Sequence, residues 1–433
     1  MTTSPRSFAD WLTYIEQLHP QNIDMGLARV AEVYRRMQVP LSCAIITVGG
    51  TNGKGSTCAM LEAMLLQGGY RVGLYTSPHI LLFNERARIN GQPVADDVLV
   101  SHFEAVEAVR GDTQLTYFEF TTLAILRLFA ESNLNAAILE VGLGGRLDAV
   151  NIFDADVAIV TNVGIDHVEY LGDTREKIGF EKAGIYRRGH TAICGDFDPP
   201  QSLLQHAASI GADLWLVGRD FRSTENGGKW DWVGRSLRRE GLDFPKLQGA
   251  NQILNASVAL AALEALQQRF PLDEQAVRAG LAKASLAGRF QVLAGKPTII
   301  LDVAHNPHAA AVLADNLAST TKYGDTYAVF GAMCDKDIDG VIACMKDRID
   351  HWCVTDLPLP RAATASEIAE RLRAAGIGLQ DGTSKGKTVL SFSSPAQALA
   401  NAMNRAGEND RIAVFGSFWT VASVLEAENS RHQ

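Results

Sequence analysis

Short apolar runs alternate with longer amphipathic stretches along most of this chain, a pattern typical of β-strands followed by α-helices. After an amphipathic stretch that is broken near Pro20 and resumes at Gly26, four apolar runs predict strands at 44–48, 71–76, 136–140 and 156–162. The periodic stretches around them predict helices at 57–66, 96–110, 119–131 and 174–185. Because strands alternate with helices, we predict a large N-terminal α/β domain with a mostly parallel sheet.

A second alternation follows a segment of different character. Residues 213–247 hold three tryptophans around Asn226-Gly227-Gly228, which predicts a hairpin or a small β excursion. Helices are then predicted at 250–268 and 273–284. From Pro297 onward, strands are predicted at 298–301, 327–330, 351–355 and 411–415, with helices at 307–318, 338–348, 364–375 and 395–407. The sequence therefore predicts a smaller, Rossmann-like α/β domain over 297–433, joined by a linker at 288–296 to a first domain over 1–287.

Composition and charge narrow the classes of function. The chain has 433 residues and a net charge of −9, which argues against a non-specific nucleic-acid or anionic-membrane surface. Its six cysteines lack C-x-x-C spacing, so we expect thiols in a reducing cytosol rather than a disulfide framework or a zinc site. The first residues do not resemble a signal peptide, and no apolar run reaches the length of a membrane span. We expect a cytoplasmic monomer without nucleic-acid or membrane partners.

The strongest candidate for chemistry is the glycine-rich stretch Gly49–Thr57, between a predicted strand and a predicted helix. In that context glycines let backbone N–H groups approach a phosphate, and the helix N-terminus adds the positive end of its dipole. Lys54 is then placed to reach the outer phosphates of a nucleotide, and Ser56 or Thr57 to bind Mg²⁺. Gly55 separates the lysine from the hydroxyls and breaks the general pattern, so a simple strand–helix corner is the alternative. We interpret the stretch as the phosphate-binding loop (P-loop) of a nucleotide site.

Other polar positions allow two interpretations each. Glu140 ends an apolar run and suits a Mg²⁺-binding acid, although a lone acid at a strand end is more often a solvated terminus. Lys182, near the end of a predicted helix, would ordinarily be a surface lysine. The helix break at 22–26 would ordinarily be a turn, and the aromatic cluster at 115–120 is more often core packing than a ligand pocket.

Several motifs together resemble those of one family. The loop Gly50-Thr51-Asn52-Gly53-Lys54-Gly55-Ser56 is similar to the ATP loop of the Mur-type ligases, including the extra glycine. Further motifs resemble the folylpolyglutamate synthases and, among them, the bacterial bifunctional dihydrofolate synthase/folylpolyglutamate synthases: Thr76-Ser77-Pro78-His79, Glu140–Asp148, Asp166-His167, Glu181–Ile185, Gly288-Arg289-Phe290 and Asp302–Pro307. The similarity extends from about Trp11 to Val424. It departs at Val150, where such enzymes often have a threonine, so one hydroxyl contact is lost.

The resemblance implies a role for each residue of these motifs. ATP would be bound by Thr51, Asn52, Gly53, Lys54, Gly55, Ser56, Asn255, Arg289 and Asp302, with His305 near the phosphates. Two Mg²⁺ ions would be held, one by Ser77 and Glu140, the other by His167 and a carbamate on Lys182. The pterin pocket would be formed by Asp24, Met25, Thr116, Tyr117, Phe118, Glu119, Leu147, Asp148 and Ala149. Lys54, Lys182 and His305 would take part in catalysis.

The implied activity is ATP-dependent ligation of L-glutamate to dihydropteroate and to reduced folates through an acyl phosphate. For the grip on the incoming glutamate, Ser417 and Lys336 are candidates. A close alternative is a folylpolyglutamate synthase that cannot use dihydropteroate, and a more distant one is a ligase that joins amino acids to a cell-wall precursor. From a different class, a nucleotide-binding regulator would bind ATP without glutamate-dependent release of ADP.

Overall fold

The computed structural model describes residues 6–21, 23–320, 323–378 and 387–431, so the first five residues used to judge a signal peptide lie outside it. The chain divides into two compact units. The first contains the residues up to Lys246 together with Ile253–Ser285, and the second contains Leu247–Gln252 together with the residues from Leu286 onward. Each unit combines helices with a sheet of mainly parallel strands, which confirms the predicted fold class. Within the described residues, no helix combines the length and the apolar character that a membrane crossing requires.

An eight-stranded sheet forms the centre of the first unit. Its strands are β1 (Ala44–Gly49), β2 (Val72–Tyr75), β3 (Ala87–Ile89), β4 (Gln92–Pro93), β5 (Ala136–Glu140), β6 (Val157–Val160), β7 (Thr191–Cys194) and β8 (Asp213–Leu216). They lie in the order β4-β3-β2-β5-β1-β6-β7-β8, and only β3 and β4 join by antiparallel pairing. In the register of the central strands, Val48 lies opposite both Glu140 and Ile159. The carboxyl ends of β1, β5 and β6 therefore meet at one edge of the sheet.

Ten α-helices are described in or at the border of this unit: α1 (Phe8–Glu16), α2 (Ala28–Met37), α3 (Lys54–Gln67), α4 (Asp96–Arg110), α5 (Tyr117–Glu131), α6 (Val168–Leu171), α7 (Arg175–Ala183), α8 (Gln201–Ile210), α9 (Gln252–Ala265) and α10 (Glu274–Lys283). Local side chains explain several starts. The Thr116 hydroxyl accepts a hydrogen bond from the Glu119 N–H at the start of α5, and Thr174 caps α7 in the same way. The helix predicted at 57–66 begins three residues earlier, at Lys54. Its first turn is small and polar, so the apolar periodicity did not reveal it.

A small antiparallel sheet confirms the β excursion predicted between 213 and 247. It contains β9 (Arg222–Asn226), β10 (Lys229–Val233) and β11 (Arg238–Leu242). Trp230 and Trp232 are buried under it, and the Trp232 indole N–H donates to the Ser257 carbonyl on α9 at 3.2 Å. The buried carboxylate of Glu264, also on α9, accepts hydrogen bonds from the backbone N–H groups of residues 235–237. Packing and hydrogen bonds thus attach this sheet to α9.

The second unit contains a six-stranded sheet. Its strands are β12 (Gln291–Leu293), β13 (Thr298–Leu301), β14 (Thr326–Phe330), β15 (His351–Thr355), β16 (Thr388–Phe392) and β17 (Arg411–Phe415), and its helices are α11 (Pro307–Ser319), α12 (Ile338–Met345), α13 (Ala365–Ala374), α14 (Pro395–Arg405) and α15 (Phe418–Arg431). The order is β12-β13-β17-β14-β15-β16, and only β12 is antiparallel. The four predicted strands are present. The sequence missed β12, which lies in the predicted linker, and β16, because both are edge strands without a buried apolar run.

Candidate active site

The glycine loop joins β1 to α3, and two of its positions require glycine. Gly50 and Gly53 have positive φ angles of 138° and 84°. A Cβ atom on Gly50 would overlap the Thr161 hydroxyl, and one on Gly53 would lie 2.5 Å from the Asn255 side-chain oxygen. Close packing around the loop therefore excludes side chains at these two positions. The same packing places Asn255 of α9 against the loop, and both were predicted to bind ATP.

Hydrogen bonds fix the loop to the segment that follows β6. The Thr51 N–H donates to the Asn162 carbonyl at 3.0 Å, and the Asn52 N–H donates to the Asn162 side-chain oxygen at 3.0 Å. The Thr51 hydroxyl accepts from the Gly164 N–H at 2.9 Å. Because residues 162–164 lead directly to His167, the loop and this predicted metal ligand share one support.

Lys54 lies folded over the loop at the start of α3. Its Nζ donates to the carbonyl oxygens of Gly50 at 3.1 Å and Thr51 at 3.2 Å. The N-terminal N–H groups of α3 add the positive end of the helix dipole. Ser56 and Thr57 are buried in this first turn, and the Thr57 hydroxyl has no hydrogen-bond partner among the described residues. The arrangement can hold a phosphate and leaves a hydroxyl available nearby.

Glu140 is buried rather than solvated, which favours its interpretation as a Mg²⁺-binding acid over that of a solvated strand end. It is 4% exposed, and its Oε2 accepts a hydrogen bond from the Ser77 N–H at 3.2 Å. The charges of both Glu140 and Lys54 act on Cys58. Burial raises the pKa of that thiol well above its usual value, Glu140 raises the pKa further, and Lys54 opposes the increase. Glu140, Ser77 and Lys54 thus lie around the start of α3.

The side chains around Glu140 fit a hard divalent cation. A carboxylate beside a hydroxyl supplies the oxygen ligands that Mg²⁺ prefers. Among the described residues, no group of three or more His, Cys, Asp or Glu side chains forms a metal site by itself. The predicted sites therefore depend on the Ser77 hydroxyl and on a modified Lys182 as well as on Glu140 and His167.

Lys182 lies inside the first unit, so its ordinary interpretation as a surface lysine is wrong. It is 4% exposed in the last turn of α7. Burial lowers the pKa of its ammonium to about 7, the nearby charge of Lys54 lowers the pKa too, and Asp166 and Asp148 partly offset both effects. A substantial fraction of the Lys182 side chain is therefore a neutral amine near pH 7.

A cavity of about 270 Å³ brings together most of the predicted pterin-pocket residues. Eight of them line it, with two predicted metal ligands: Asp24, Met25, Thr116, Phe118, Glu119, Leu147, Asp148, Ala149, Ser77 and His167. Tyr117 does not line this cavity and packs instead against the ring of Phe83, at 6.3 Å between centroids. The segment before α2, which the sequence pattern alone favoured as an ordinary turn, thus contributes Asp24 and Met25 to the cavity wall. The aromatic cluster divides, since Leu115 and Phe120 are core residues whereas Phe118 faces the cavity.

Asp148 gives the cavity a carboxyl group that titrates near neutrality. Burial raises the pKa of Asp148 to about 6, although hydrogen bonds from the N–H groups of Leu143 (2.8 Å) and Val150 (3.0 Å) lower it. The Lys54 charge lowers this pKa as well, so the cavity lies within electrostatic reach of the glycine loop. Near pH 7 the ionised carboxylate can accept hydrogen bonds from a polar ligand.

An arginine that the sequence analysis did not single out holds two cavity acids together. The Arg29 guanidinium donates to Asp24 Oδ2 at 2.7 Å and pairs with Glu119 Oε1 at 3.2 Å. Glu119 Oε2 also accepts from the Thr116 N–H at 2.8 Å. Arg29 lies on an amphipathic helix, at a position where the hydrophobic periodicity indicated an ordinary surface residue. A second unforeseen residue, Arg86, lines the cavity from a segment without a recognised motif.

The predicted residues of the second unit cluster at the carboxyl end of β13. The half-buried Asp302 carboxylate accepts hydrogen bonds from the N–H groups of Phe290 at 2.9 Å and Ala304 at 2.8 Å. Burial raises the pKa of Asp302, with the Arg289 charge acting in the opposite direction. His305 donates from Nδ1 to the Val303 carbonyl at 2.8 Å.

The two candidates for glutamate binding have different surroundings. Ser417 follows β17, and its hydroxyl is hydrogen-bonded with that of Thr420 at 2.7 Å in a buried position. Lys336 is half-buried in the loop before α12. Both belong to the second unit, and neither shows a feature that selects it over the other.

Comparison with known proteins places this architecture in a family. The model of the Mur ligase middle domain matches residues 48–263, and that of the Mur ligase, glutamate ligase domain matches residues 288–418. The dihydrofolate synthase/folylpolyglutamate synthase of Escherichia coli strain K12 is 43% identical over 424 residues, which are 98% of this chain and 96% of that protein.

Solved structures extend the similarity to the whole fold. The structure of E. coli FolC in complex with DHPP and ADP matches with a TM-score of 0.93 and 41% identity over 100% of both chains. The bifunctional folylpolyglutamate synthase/dihydrofolate synthase from Yersinia pestis, complexed with AMPPNP and Mn ion, matches with a TM-score of 0.90 and 44% identity over 99% of this chain and 100% of that chain. This chain belongs to the dihydrofolate synthase/folylpolyglutamate synthase family of Mur-type, ATP-dependent ligases.

Proposed function

We propose that this protein joins L-glutamate to 7,8-dihydropteroate, giving dihydrofolate, and to tetrahydrofolates, with the cleavage of ATP to ADP. The observation that carries the proposal is the meeting of the Lys54 loop, the Ser77–Glu140 pair and the polar cavity within the first unit. The E. coli relative supports it, because its structure contains DHPP together with ADP. The match to a glutamate ligase domain supports glutamate as the incoming amino acid.

The reaction needs activation because a carboxylate is a poor electrophile. An oxygen of the substrate carboxylate attacks the γ-phosphorus of ATP, the bond to the β-phosphate oxygen breaks, and ADP leaves with an acyl phosphate formed. The amine of glutamate then attacks the acyl carbon. The C–O bond to phosphate breaks, the amine loses a proton, and an amide and inorganic phosphate result. Such a reaction calls for positioning and charge neutralisation rather than a covalent protein nucleophile.

The glycine loop supplies the first part of that environment. The backbone of Thr51 to Ser56 surrounds the phosphates in our proposal, and Lys54 offsets the charge that builds on the transferred group. Lys54 contacts loop carbonyls here, at 3.1 and 3.2 Å, so its ammonium already lies over the loop. Asn255 touches Gly53 and is the proposed contact from α9.

Divalent metal ions accompany the nucleotide in this proposal. Ser77 and Glu140 would hold one Mg²⁺ ion, and His167 and a carbamate on Lys182 would hold a second. When bound, the ions neutralise phosphate charge and orient the transferred group. The Ser77 N–H keeps the Glu140 carboxylate oriented, and the hydrogen bonds of residues 162–164 to the glycine loop keep the His167 segment in place.

The carbamate on Lys182 has a physical basis in this site. A neutral amine adds to CO₂, forming an N–C bond and releasing one proton, whereas an ammonium has no lone pair for the reaction. Because the pKa of Lys182 is lowered to about 7, the reactive form is abundant at neutral pH. The carbamate also replaces a buried cation next to Lys54 with an anion, which removes the repulsion between the two.

The cavity supplies the acid-substrate site of the proposal. Its volume of about 270 Å³ is close to the lower limit of about 300 Å³ for small-molecule sites. Asp148 would accept hydrogen bonds from the pterin, and Phe118 would pack against its flat ring. The ring of Phe118 already stacks on Tyr75 at 6.0 Å, which holds it in position.

The second unit contributes three residues to the proposal. Arg289 and Asp302 would contact the nucleotide, and His305 would lie near its phosphates. Asp302 is fixed by two backbone N–H donors, and the Arg289 guanidinium lies 5.5 Å from the centre of the Phe418 ring. These contacts hold the charged groups in defined positions before any ligand binds.

Substrate trials test the proposal and separate it from the close alternative. The purified protein with ATP, Mg²⁺ and glutamate is expected to convert dihydropteroate to dihydrofolate and to extend tetrahydrofolate. Extension of tetrahydrofolate without any product from dihydropteroate would indicate a folylpolyglutamate synthase only. Failure with both acids would contradict the proposed function.

Three further properties are proposed from the sequence. We infer a monomer in the cytoplasm, with domains over 1–287 and 297–433 and a joint at 288–296. All cysteines among the described residues are free thiols, which is typical of proteins in a reducing compartment. Light scattering on the eluting protein measures its mass, and a dimer mass would overturn the first inference.

A further inference from the structure

Arg86 is a buried cation in the wall of the cavity. It ends the short 3₁₀ helix Phe83–Arg86 and is 9% exposed. Its Nε donates to Nδ1 of His79 at 2.8 Å, and its guanidinium lies 5.6 Å from the ring centres of both Phe83 and Tyr117. Two aromatic rings and one hydrogen bond therefore hold the side chain in a defined direction.

No carboxylate neutralises Arg86 among the residues that the structure describes. The adjacent Glu85 instead accepts hydrogen bonds from the backbone N–H groups of residues 80–82, each at 2.8 Å. His79 is no substitute for a carboxylate, because it only accepts the Arg86 Nε hydrogen bond through Nδ1. Buried charges in proteins are normally paired, so this one calls for a partner.

The acids in the cavity wall already have other partners. Asp24 and Glu119 both pair with Arg29, and Asp148 accepts from backbone N–H groups. An anion that satisfies Arg86 would therefore come from a ligand. Arginine suits a carboxylate in particular, because its two terminal nitrogens match the two oxygens.

Arg86 and Ser77 line the same cavity, and the backbone of Arg86 is joined to the residue before Ser77. The Thr76 N–H donates to the Arg86 carbonyl at 3.0 Å, and the Thr76 hydroxyl donates to the Glu85 carbonyl at 3.3 Å. The next residue, Ser77, contacts Glu140. A carboxylate on Arg86 would thus lie in the cavity that Ser77 and His167, two of the proposed Mg²⁺ ligands, also line.

We propose that Arg86 binds the reacting carboxylate of the acid substrate and makes the cavity select pterins that carry a carboxylate. The inference rests on the proposed function, since it identifies which end of the substrate lies near Ser77. Arg86 touches the reacting group through its terminal nitrogens, whereas His79, Phe83 and Tyr117 hold the guanidinium in position.

The test compares two ligands that differ only in charge at this group. Calorimetry on the full-length protein measures the affinity for 7,8-dihydropteroate and for its carboxamide, with wild type, Arg86→Met, Arg86→Lys and the control Arg71→Met. Arg71 is exposed and does not line the cavity. We expect Arg86→Met to weaken acid binding about 10- to 100-fold and carboxamide binding less than about threefold. Arg86→Lys should retain part of the preference, and Arg71→Met all of it.

Three outcomes would overturn the inference. Equal affinity of the wild type for acid and carboxamide would show that the cavity does not sense the charge, even if Arg86→Met fails to fold. Equal weakening of both ligands by Arg86→Met would make Arg86 a structural residue only. Absence of binding of either pterin by the wild type would contradict the proposed function itself, and this inference with it.

Discussion

Burial changes the chemistry of single residues in this site. Lys182 is the clearest case, because a lysine with a pKa of about 7 exists partly as a neutral amine near pH 7. The pKa of Asp148 is shifted in the opposite direction, upward to about 6, so this carboxyl group still ionises near neutral pH. Both shifts are caused mainly by burial. The sequence placed these residues in motifs, but it could not show that their surroundings are dry.

Replacement of Lys182 by alanine should reduce kcat by about 100-fold or more, because a charged ligand of the second proposed Mg²⁺ ion is lost. The control is Lys177→Ala, on the same helix but exposed, which should leave kcat within about twofold. Added acetate or another small carboxylate is expected to restore part of the activity of Lys182→Ala. Turnover near that of the wild type in Lys182→Ala would exclude the carbamate role.

The same residue predicts a pH dependence. The pKa of Lys182 is lowered to about 7, so the amine is neutral above this pH and protonated below it. Protonation prevents the addition of CO₂, so activity that depends on added bicarbonate should fall as the pH is lowered from 8 to 6. A bicarbonate requirement that is independent of pH in this range would contradict this assignment.

At the scale of elements, the sequence predicted the glycine loop, the strand–helix alternation and the small β excursion. The periodicity of the chain could not predict the cavity, because the residues that form it are distant in the sequence; only the family resemblance indicated that eight of them belong together. Asp24 and Phe118 come together since Arg29 joins the segment before α2 to Glu119 on α5. Edge strands such as β16 also escaped, because half-exposed positions carry a weak hydrophobic signal.

The glycine loop gives a matched pair of substitutions. Gly53 and Gly69 both have positive φ angles, of 84° and 82°, but a Cβ on Gly53 would meet Asn255 whereas one on Gly69 would meet nothing within 4 Å. Backbone strain should cost about 1–2 kcal/mol of folding free energy in either alanine variant, and the overlap with Asn255 adds to this cost at Gly53. Only Gly53→Ala should also weaken ADP binding, measured by calorimetry. Equal ADP affinity in the two variants would contradict the role of this contact.

At the scale of the whole molecule, the net charge does not explain how anionic substrates would be attracted. The chain carries a net charge of −9, yet its proposed substrates, ATP, an organic acid and glutamate, are anionic. Attraction therefore cannot come from the overall field. It must come from particular groups, namely Lys54, the N-terminus of α3 and Arg86, each placed by the fold at the cavity or the loop. Both sheets also place their candidate residues after the carboxyl ends of parallel strands, where α/β proteins generally bind ligands.

The central claim is that the acid is made reactive by transfer of a phosphoryl group. It is tested most directly with dihydropteroate labelled with ¹⁸O in both carboxylate oxygens, incubated with the protein, ATP, Mg²⁺ and glutamate. Mass spectrometry of the inorganic phosphate should find one labelled oxygen for each dihydrofolate formed, because the oxygen that attacks the γ-phosphorus leaves with the phosphate. Formation of dihydrofolate with unlabelled phosphate would contradict the acyl-phosphate route.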